Sequence, residues 1–213
     1  MSIRKQIIST IETNRISSTQ IADCLDKTGA ISQIKAVNKG HFKVGEVFWV
    51  YAYDETNWTV HDQLRDLKEN SIFIISAFNC KDRAIIGDIV SKYILLYKRC
   101  KAIVVIGNIR DANRILKENW PIWCMGFNPV GCFNSFVKYK EDKNIKNERN
   151  KFKNSIAICD DTGVVIVEKK YQSSNFIKKL EFIEDQEDIW YDCIDHKKWN
   201  TYDTICLKKY LKK

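Results

Sequence analysis

The sequence predicts a mixed α/β layer fold built as one domain, and two observations carry that prediction. Runs rich in β-branched and aromatic residues alternate with segments whose apolar residues recur at helical spacing. In addition, 213 residues, 45% apolar and 29% charged, suffice for one sizeable core, and no repeat, low-complexity stretch or linker divides them.

Taken in order, residues 2–14 read as a helix with Ile3, Ile7, Ile8 and Ile11 on one face. Ser17-Ser18-Thr19 offers an N-cap for a second helix, 20–27, that stops at Gly29. A short strand over 31–37 precedes a core strand, GEVFWVYAY, at 45–53. Asp54 to Asn57 turns the chain into a helix over 59–68, and SIFIIS (71–76) is the next buried strand. A helix over 84–98 is expected from Ile85, Ile86, Ile89, Ile94 and Leu95, which make a broad apolar face. Strand 102–106, a short helix 111–119 and strand 121–125 follow. Residues 133–137 are a further candidate strand, and the charged stretch 138–153 reads as an exposed hairpin or loop. SIAICDDTGVVIV (155–167) is a β-hairpin turning at Asp160-Asp161-Thr162-Gly163. A C-terminal helical segment, 173–213, holds a helix over 173–195 and a last one over 198–211.

Composition narrows the function classes. The net charge of +8 suits anionic partners, whether nucleic acid, a membrane surface or small acidic substrates; its lysine-rich runs, 138–153 and the C-terminal tail, read as solvated surface. Tryptophans and tyrosines are scattered rather than grouped as a stacking platform, so nucleic acid is not an expected partner. Eight cysteines without a CxxC pair, and only three histidines, read as reduced thiols packed as small apolar groups in a cytoplasmic protein. No apolar run approaches the ~20 residues that cross a bilayer. P-loop, GxGxxG, GxSxG and HExxH motifs are absent.

The candidate site lies in 87–111. The strand 102–106 ends on Gly107-Asn108-Ile109-Arg110-Asp111, and charges at a strand's carboxyl end occupy the usual place of α/β sites. Arg110 offers a two-point clamp for a carboxylate and Asp111 an oxygen ligand for a hard cation. Gly87-Asp88-Ile89 opens a helix whose free N–H groups suit an anion. Each pair also has a plainer reading, Asp111 as the N-cap of the next helix and Asp88 as an acid favoured by a helix dipole. His61, a lone helical histidine, reads as structural or solvated.

Six stretches in order carry a family resemblance: IADCLDKTG (21–29), VGEVFWV (44–50), HDQLRDLKENSIFIIS (61–76), AIIGDIVSKYILLYKRCKAIVVIGNIRD (84–111), WPIWCMGFNPVG (120–131) and ICDDTGVVIVEKK (158–170). From about 17 to 195 the chain resembles the RraA-like proteins, which include regulators of ribonuclease E and 4-hydroxy-4-methyl-2-oxoglutarate aldolases. The resemblance implies a layered β/β/α fold of the swivelling-domain kind over a core of about 17–170, assembled as a homotrimer with sites between subunits. It implies a divalent-metal-dependent lyase, an aldolase or decarboxylase of a small 2-oxo acid, using Mg²⁺ or Mn²⁺. Arg110 matches the position that holds the pyruvyl carboxylate and Asp111 the metal ligand. Gly87, Asp88 and Ile89 match the loop whose amides, with an acidic side chain, complete the site. The general acid–base is unassigned: sites of the family often borrow an acidic group from a neighbouring subunit, and Asp23, Asp54 and Glu55 are all open. The chain departs from the aldolase pattern at Ile106, where an acid is usual, at Cys100-Lys101-Ala102, and at 152–155, where a Pro-Gly-Asp is usual. A non-catalytic regulator that binds a protein partner therefore stays open, as does a member with an altered reaction in a biosynthetic pathway.

Overall fold

The computed structural model describes residues 1–138 and 142–211. Among these, β1 (Lys35–Ala36), β2 (Lys43–Tyr53), β3 (Ile72–Phe78), β4 (Ala84–Ile86), β5 (Ala102–Ile109), β6 (Ile122–Phe127), β7 (Ile156–Cys159) and β8 (Val164–Val167) form one mixed sheet. Its order is β1-β6-β5-β3-β2-β7-β8, with β4 paired to the far end of β5. The centre, β2 to β6, is parallel, whereas β7 and β8 add on antiparallel. Ala30 bridges Val165, and β1 pairs with β6, so the segment between them ties the two edges together and nearly closes a barrel.

The period of two along the strands explains why their sequences are apolar throughout: both faces are buried. Ile72, Ile74, Ala102, Val104, Ala157, Cys159, Val164 and Ile166 point into the barrel around Trp123 and Phe152. Their neighbours point outward under helices. Phe73, Ile75, Ile103 and Val105 meet Val60, Ile94, Leu95 and Ile115, which come from α3 (Trp58–Gln63), the π-helical turn Tyr93–Tyr97 that extends α4 (Asp88–Lys92), and α5 (Ala112–Lys117). Ile156, Ile158, Val165 and Val167 meet α1 (Ile3–Asn14), α2 (Ser18–Cys24) and α7 (Ser174–Asp195) through Ile7, Ile11, Ile21, Phe176 and Leu180. All eight cysteines are free thiols, and all but Cys132 and Cys206 are buried.

Ser17 caps α2 in a full capping box with Gln20, as its position in the sequence suggests. Ser17→Ala is expected to cost about 1 kcal/mol, read as a lower urea midpoint at unchanged slope. The helix stops at Cys24 rather than at 27, because Asp26 and Lys27 already turn left-handed, at φ 57° and 61°.

Five further expectations are corrected. The strand expected over 31–37 shrinks to Lys35–Ala36. Residues 84–86 are a strand, not the first turn of a helix, because their backbone is claimed on both sides: Arg110 N donates to Ile86 O (3.1 Å) and Ala84 N to Val130 O (2.8 Å). Ile89 consequently leaves the apolar face and stands 80% exposed. Residues 133–137 form no strand: Phe133 makes only an isolated bridge to Thr56, its N donating to Glu55 O (2.8 Å) and its carbonyl accepting from Asn57 N (3.0 Å), and the Ser135 carbonyl accepts from the Thr56 hydroxyl. The charged stretch 138–153 contains α6 (Lys143–Phe152), started by Asp142, whose carboxylate accepts from Asn144 N and Ile145 N. Ile145 and Phe152, seven residues apart, bury its one apolar face, and Phe152 stacks on Trp49. Residues 139–141 of that stretch, and Lys212 and Lys213 of the basic tail, lie outside the described residues. The expected last helix is a π-helical turn, Tyr202–Cys206, followed by a 3-10 turn, Lys209–Leu211.

Candidate active site

The site is built on β4, the short strand that the helical spacing of its residues concealed. Its backbone pairs with the end of β5, setting Ile86 opposite Ile109, so the chain leaves both strands side by side as Gly87 and Arg110. On its other side β4 meets Gly131 and Cys132, with Cys132 N donating to Ala84 O (2.9 Å). Asn57, just before α3, donates its amide Nδ2 to Ile85 O (2.9 Å). Together these segments enclose a cavity of about 440 Å³, lined among others by Asn57, His61, Asp88, Arg110, Asp111 and Gly131.

Asp111 holds a left-handed conformation, φ 62°, which Asp tolerates better than most residues. Its side chain makes no cap on α5. Instead Oδ2 turns across to the start of α4 and accepts from Asp88 N (3.2 Å), with Arg110 Nε 3.6 Å away. The capping reading of Asp111 is thereby removed: its carboxylate faces the cavity, not its own helix. Asp88 Oδ1 accepts from Ile89 N (2.7 Å) and Oδ2 lies 3.7 Å from Arg114 Nε. Two of the amides that the sequence assigns to a substrate thus meet carboxylates of the site itself.

Two glycines make room for this arrangement. A Cβ on Gly87 would sit 2.1 Å from Asp111 Oδ2 and 3.1 Å from Arg110 Cγ, and one on Gly131 would meet Arg110 Nη1 at 2.5 Å. The Arg110 side chain therefore runs between two bare backbone segments, with half of its surface exposed.

The structure brings Gly87, Asp88, Ile89, Arg110 and Asp111 to one cavity, and adds two residues that spacing alone does not single out. Asn57 is buried, and its Oδ1 lacks a hydrogen-bond partner among the described residues. His61 faces the cavity from α3, and partial burial lowers its pKa, favouring the neutral ring. Asn57 and His61 are four apart on one helix start, the one signal in the sequence that they share a face. Asp23, Asp54 and Glu55 do not line the cavity: Asp23 pairs with Lys27, Asp54 accepts from Asn79, and Glu55 is clamped by Lys81 and Arg83. Those two cations hold the Glu55 carboxyl below its ordinary range. Ile106 packs against the barrel interior, which is why an apolar residue is tolerated there.

Known proteins agree with this architecture. The chain is similar in structure to an uncharacterized protein from Pseudomonas syringae pv. tomato (TM-score 0.68, 16% identity, covering 93% of this chain and 96% of the other). It is similar to Streptomyces coelicolor RraAS2, described as an unusual member of the RNase ES inhibitor RraA family (TM-score 0.65, 20% identity, 86% and 92% covered). The RNA-processing inhibitor RraA from Thermus thermophilis also matches (TM-score 0.51, 14% identity, 70% and 91% covered). No curated protein sequence matches significantly. The model of the RraA-like family, Aldolase/RraA, matches residues 18–166, well over half of the chain, including β4 and β5, which build the site, and every described strand but the last residue of β8. This chain belongs to the RraA-like family.

Proposed function

We propose that the cavity binds a small 2-oxo acid and breaks a carbon–carbon bond in it with the help of a divalent cation, Mg²⁺ or Mn²⁺. The observation that supports this reading best is the convergence of Arg110, Asp111 and Asp88 on one cavity of a size suited to a small ligand. Arg110 would take the substrate carboxylate in a two-point contact. Asp111 would hold the cation through a carboxylate that is 41% exposed. Among the described residues no three His, Cys, Asp or Glu side chains group to hold a metal, so such a cation would keep most of its shell as water, a habit of Mg²⁺. When bound, it supplies Lewis-acid polarisation of the keto oxygen.

The neutral His61 ring is the group in the cavity suited to proton transfer near neutral pH. For a 4-hydroxy-2-oxo acid, a ring nitrogen would accept the C4 hydroxyl proton as the C3–C4 bond breaks. Returning that proton to C3 completes pyruvate. Ile89, Tyr93 and Tyr97 leave an apolar rim exposed beside the cavity, and a homotrimer that covers this rim is part of the proposal.

A second reading, a non-catalytic regulator, is favoured by the engagement of the Asp88 and Ile89 amides with carboxylates, which leaves fewer donors for a substrate. Turnover separates the two. Pyruvate should be released from 4-hydroxy-4-methyl-2-oxoglutarate or oxaloacetate only with added Mg²⁺ or Mn²⁺, and Asp111→Ala should abolish it while leaving the fold intact. Absence of turnover on both substrates with either metal would overturn the lyase reading.

A further inference from the structure

Among the eight free thiols, two that lie far apart in sequence meet in the fold, Cys80 and Cys132. Cys80 follows β3 in the loop that leads to β4, and it is buried. Cys132 belongs to the segment paired with the other edge of β4; it keeps part of its surface and lines the candidate site. Its S–H donates to the Cys80 sulfur, which lowers the Cys80 pKa and raises that of Cys132. Burial alone acts the other way elsewhere: it pushes Cys24 and Cys124 up to about 11 and raises Cys100, as expected of inert packing groups.

The segments that carry the pair are already fastened to each other. Arg83 N donates to Cys80 O (3.2 Å), Arg83 Nη1 donates to Gly131 O (2.9 Å), and the guanidinium lies over the Phe133 ring. Two thiols that share a hydrogen bond across such a frame need little backbone movement to be bridged. Gly131, one of the bare segments flanking Arg110, directly precedes Cys132. We propose that Cys80 and Cys132 are a site of reversible oxidation, at which hydrogen peroxide joins them as a disulfide that clamps the 130–132 segment beside β4. Peroxide is close to water in size and meets the sulfur that keeps some surface. An S–O bond forms on Cys132 as the O–O bond breaks, and the released hydroxide leaves as water with the thiol proton. Cys80 then attacks that sulfur: the S–S bond forms, the S–O bond breaks, and the second hydroxide leaves as water with the Cys80 proton. Two electrons pass from the two sulfurs to the peroxide. The oxidation does not depend on which reaction the cavity serves.

The full chain, treated with a small excess of hydrogen peroxide, then denatured, alkylated and digested without reductant, tests this. Free thiols should fall from eight to six, with one disulfide-linked peptide pair holding Cys80 and Cys132, reversed by dithiothreitol. Cys80→Ser and Cys132→Ser should each lose the link, whereas Cys206→Ser, at an exposed thiol, should keep it. Amide hydrogen exchange supplies the second readout. Ala84 N bonds to Val130 O and Cys132 N to Ala84 O, and both amides should exchange roughly fivefold more slowly in the oxidised chain, because their opening would have to part the bridged segments. Oxidised thiols without a Cys80–Cys132 link, a link made through Cys206 instead, or unchanged exchange at these amides overturns the proposal.

Discussion

Arg110→Lys is expected to lower kcat/KM for a 2-oxo acid substrate roughly 100-fold while leaving the fold intact. The guanidinium reaches the cavity along a track fixed by its surroundings: its Cγ passes Gly87, its Nε lies 3.6 Å from Asp111 Oδ2, and its Nη1 crosses Gly131. A planar fork held in this way can meet both oxygens of a carboxylate, whereas a lysine ammonium on a flexible stem meets one point and must be immobilised first. Because half of the Arg110 side chain is exposed, its loss should change stability by no more than about 0.5 kcal/mol. Steady-state kinetics on the protein supplemented with Mg²⁺ or Mn²⁺, with circular dichroism as the folding control, provide the check of this part of the proposal. A lysine variant with wild-type kcat/KM would mean that the substrate carboxylate is held elsewhere.

Trp123→Ala should be among the most damaging single changes to stability, at about 3–5 kcal/mol. The indole is fully buried at the centre of the barrel interior, and its Nε1 donates to the Asp160 carbonyl (2.7 Å). Truncation would open a large void among Ile34, Val104, Phe152 and Val164 and leave that carbonyl without its donor. The same Asp160 accepts, through its carboxylate, from the Ser18 amide and hydroxyl (both 2.7 Å) and from Thr162 N (2.9 Å). Trp123 therefore helps to seat the hairpin turn against α2. Chemical denaturation should show a fall in midpoint several times that expected for Ser17→Ala. A loss below about 1 kcal/mol would show that the barrel interior can collapse around the gap.

Much of the framework was legible in the residues. Runs such as FIIS and AIVVI are buried on both faces in a parallel sheet, so they read as strands without help from alternation. Ser17 with Gln20, and the turn at Asp160 to Gly163, are local devices whose partners lie a few residues away. The place of Arg110 and Asp111 just past a strand's carboxyl end was legible as well, because the apolar run 102–106 marks the strand they follow. The 84–98 segment misled because Ile85, Ile86, Ile89, Ile94 and Leu95 fit a helical face, although the first two belong to a strand and the third to solvent. The 138–153 stretch misled in the opposite sense: its charge masked two buried anchors, Ile145 and Phe152, on an otherwise solvated helix.

What the sequence determined by itself was therefore the set of elements with local or continuous signals, and the position of Arg110 and Asp111 just past β5. What the tertiary structure decided was their company. β4 exists because β5 and the 130–132 segment compete successfully for its backbone groups, a long-range pairing with no trace in local spacing. That pairing sets Gly87 against Asp111, turns the Asp111 carboxylate away from its own helix, and opens the cavity to Asn57 and His61. Hydrogen bonds between distant strands, rather than propensity, gather the site.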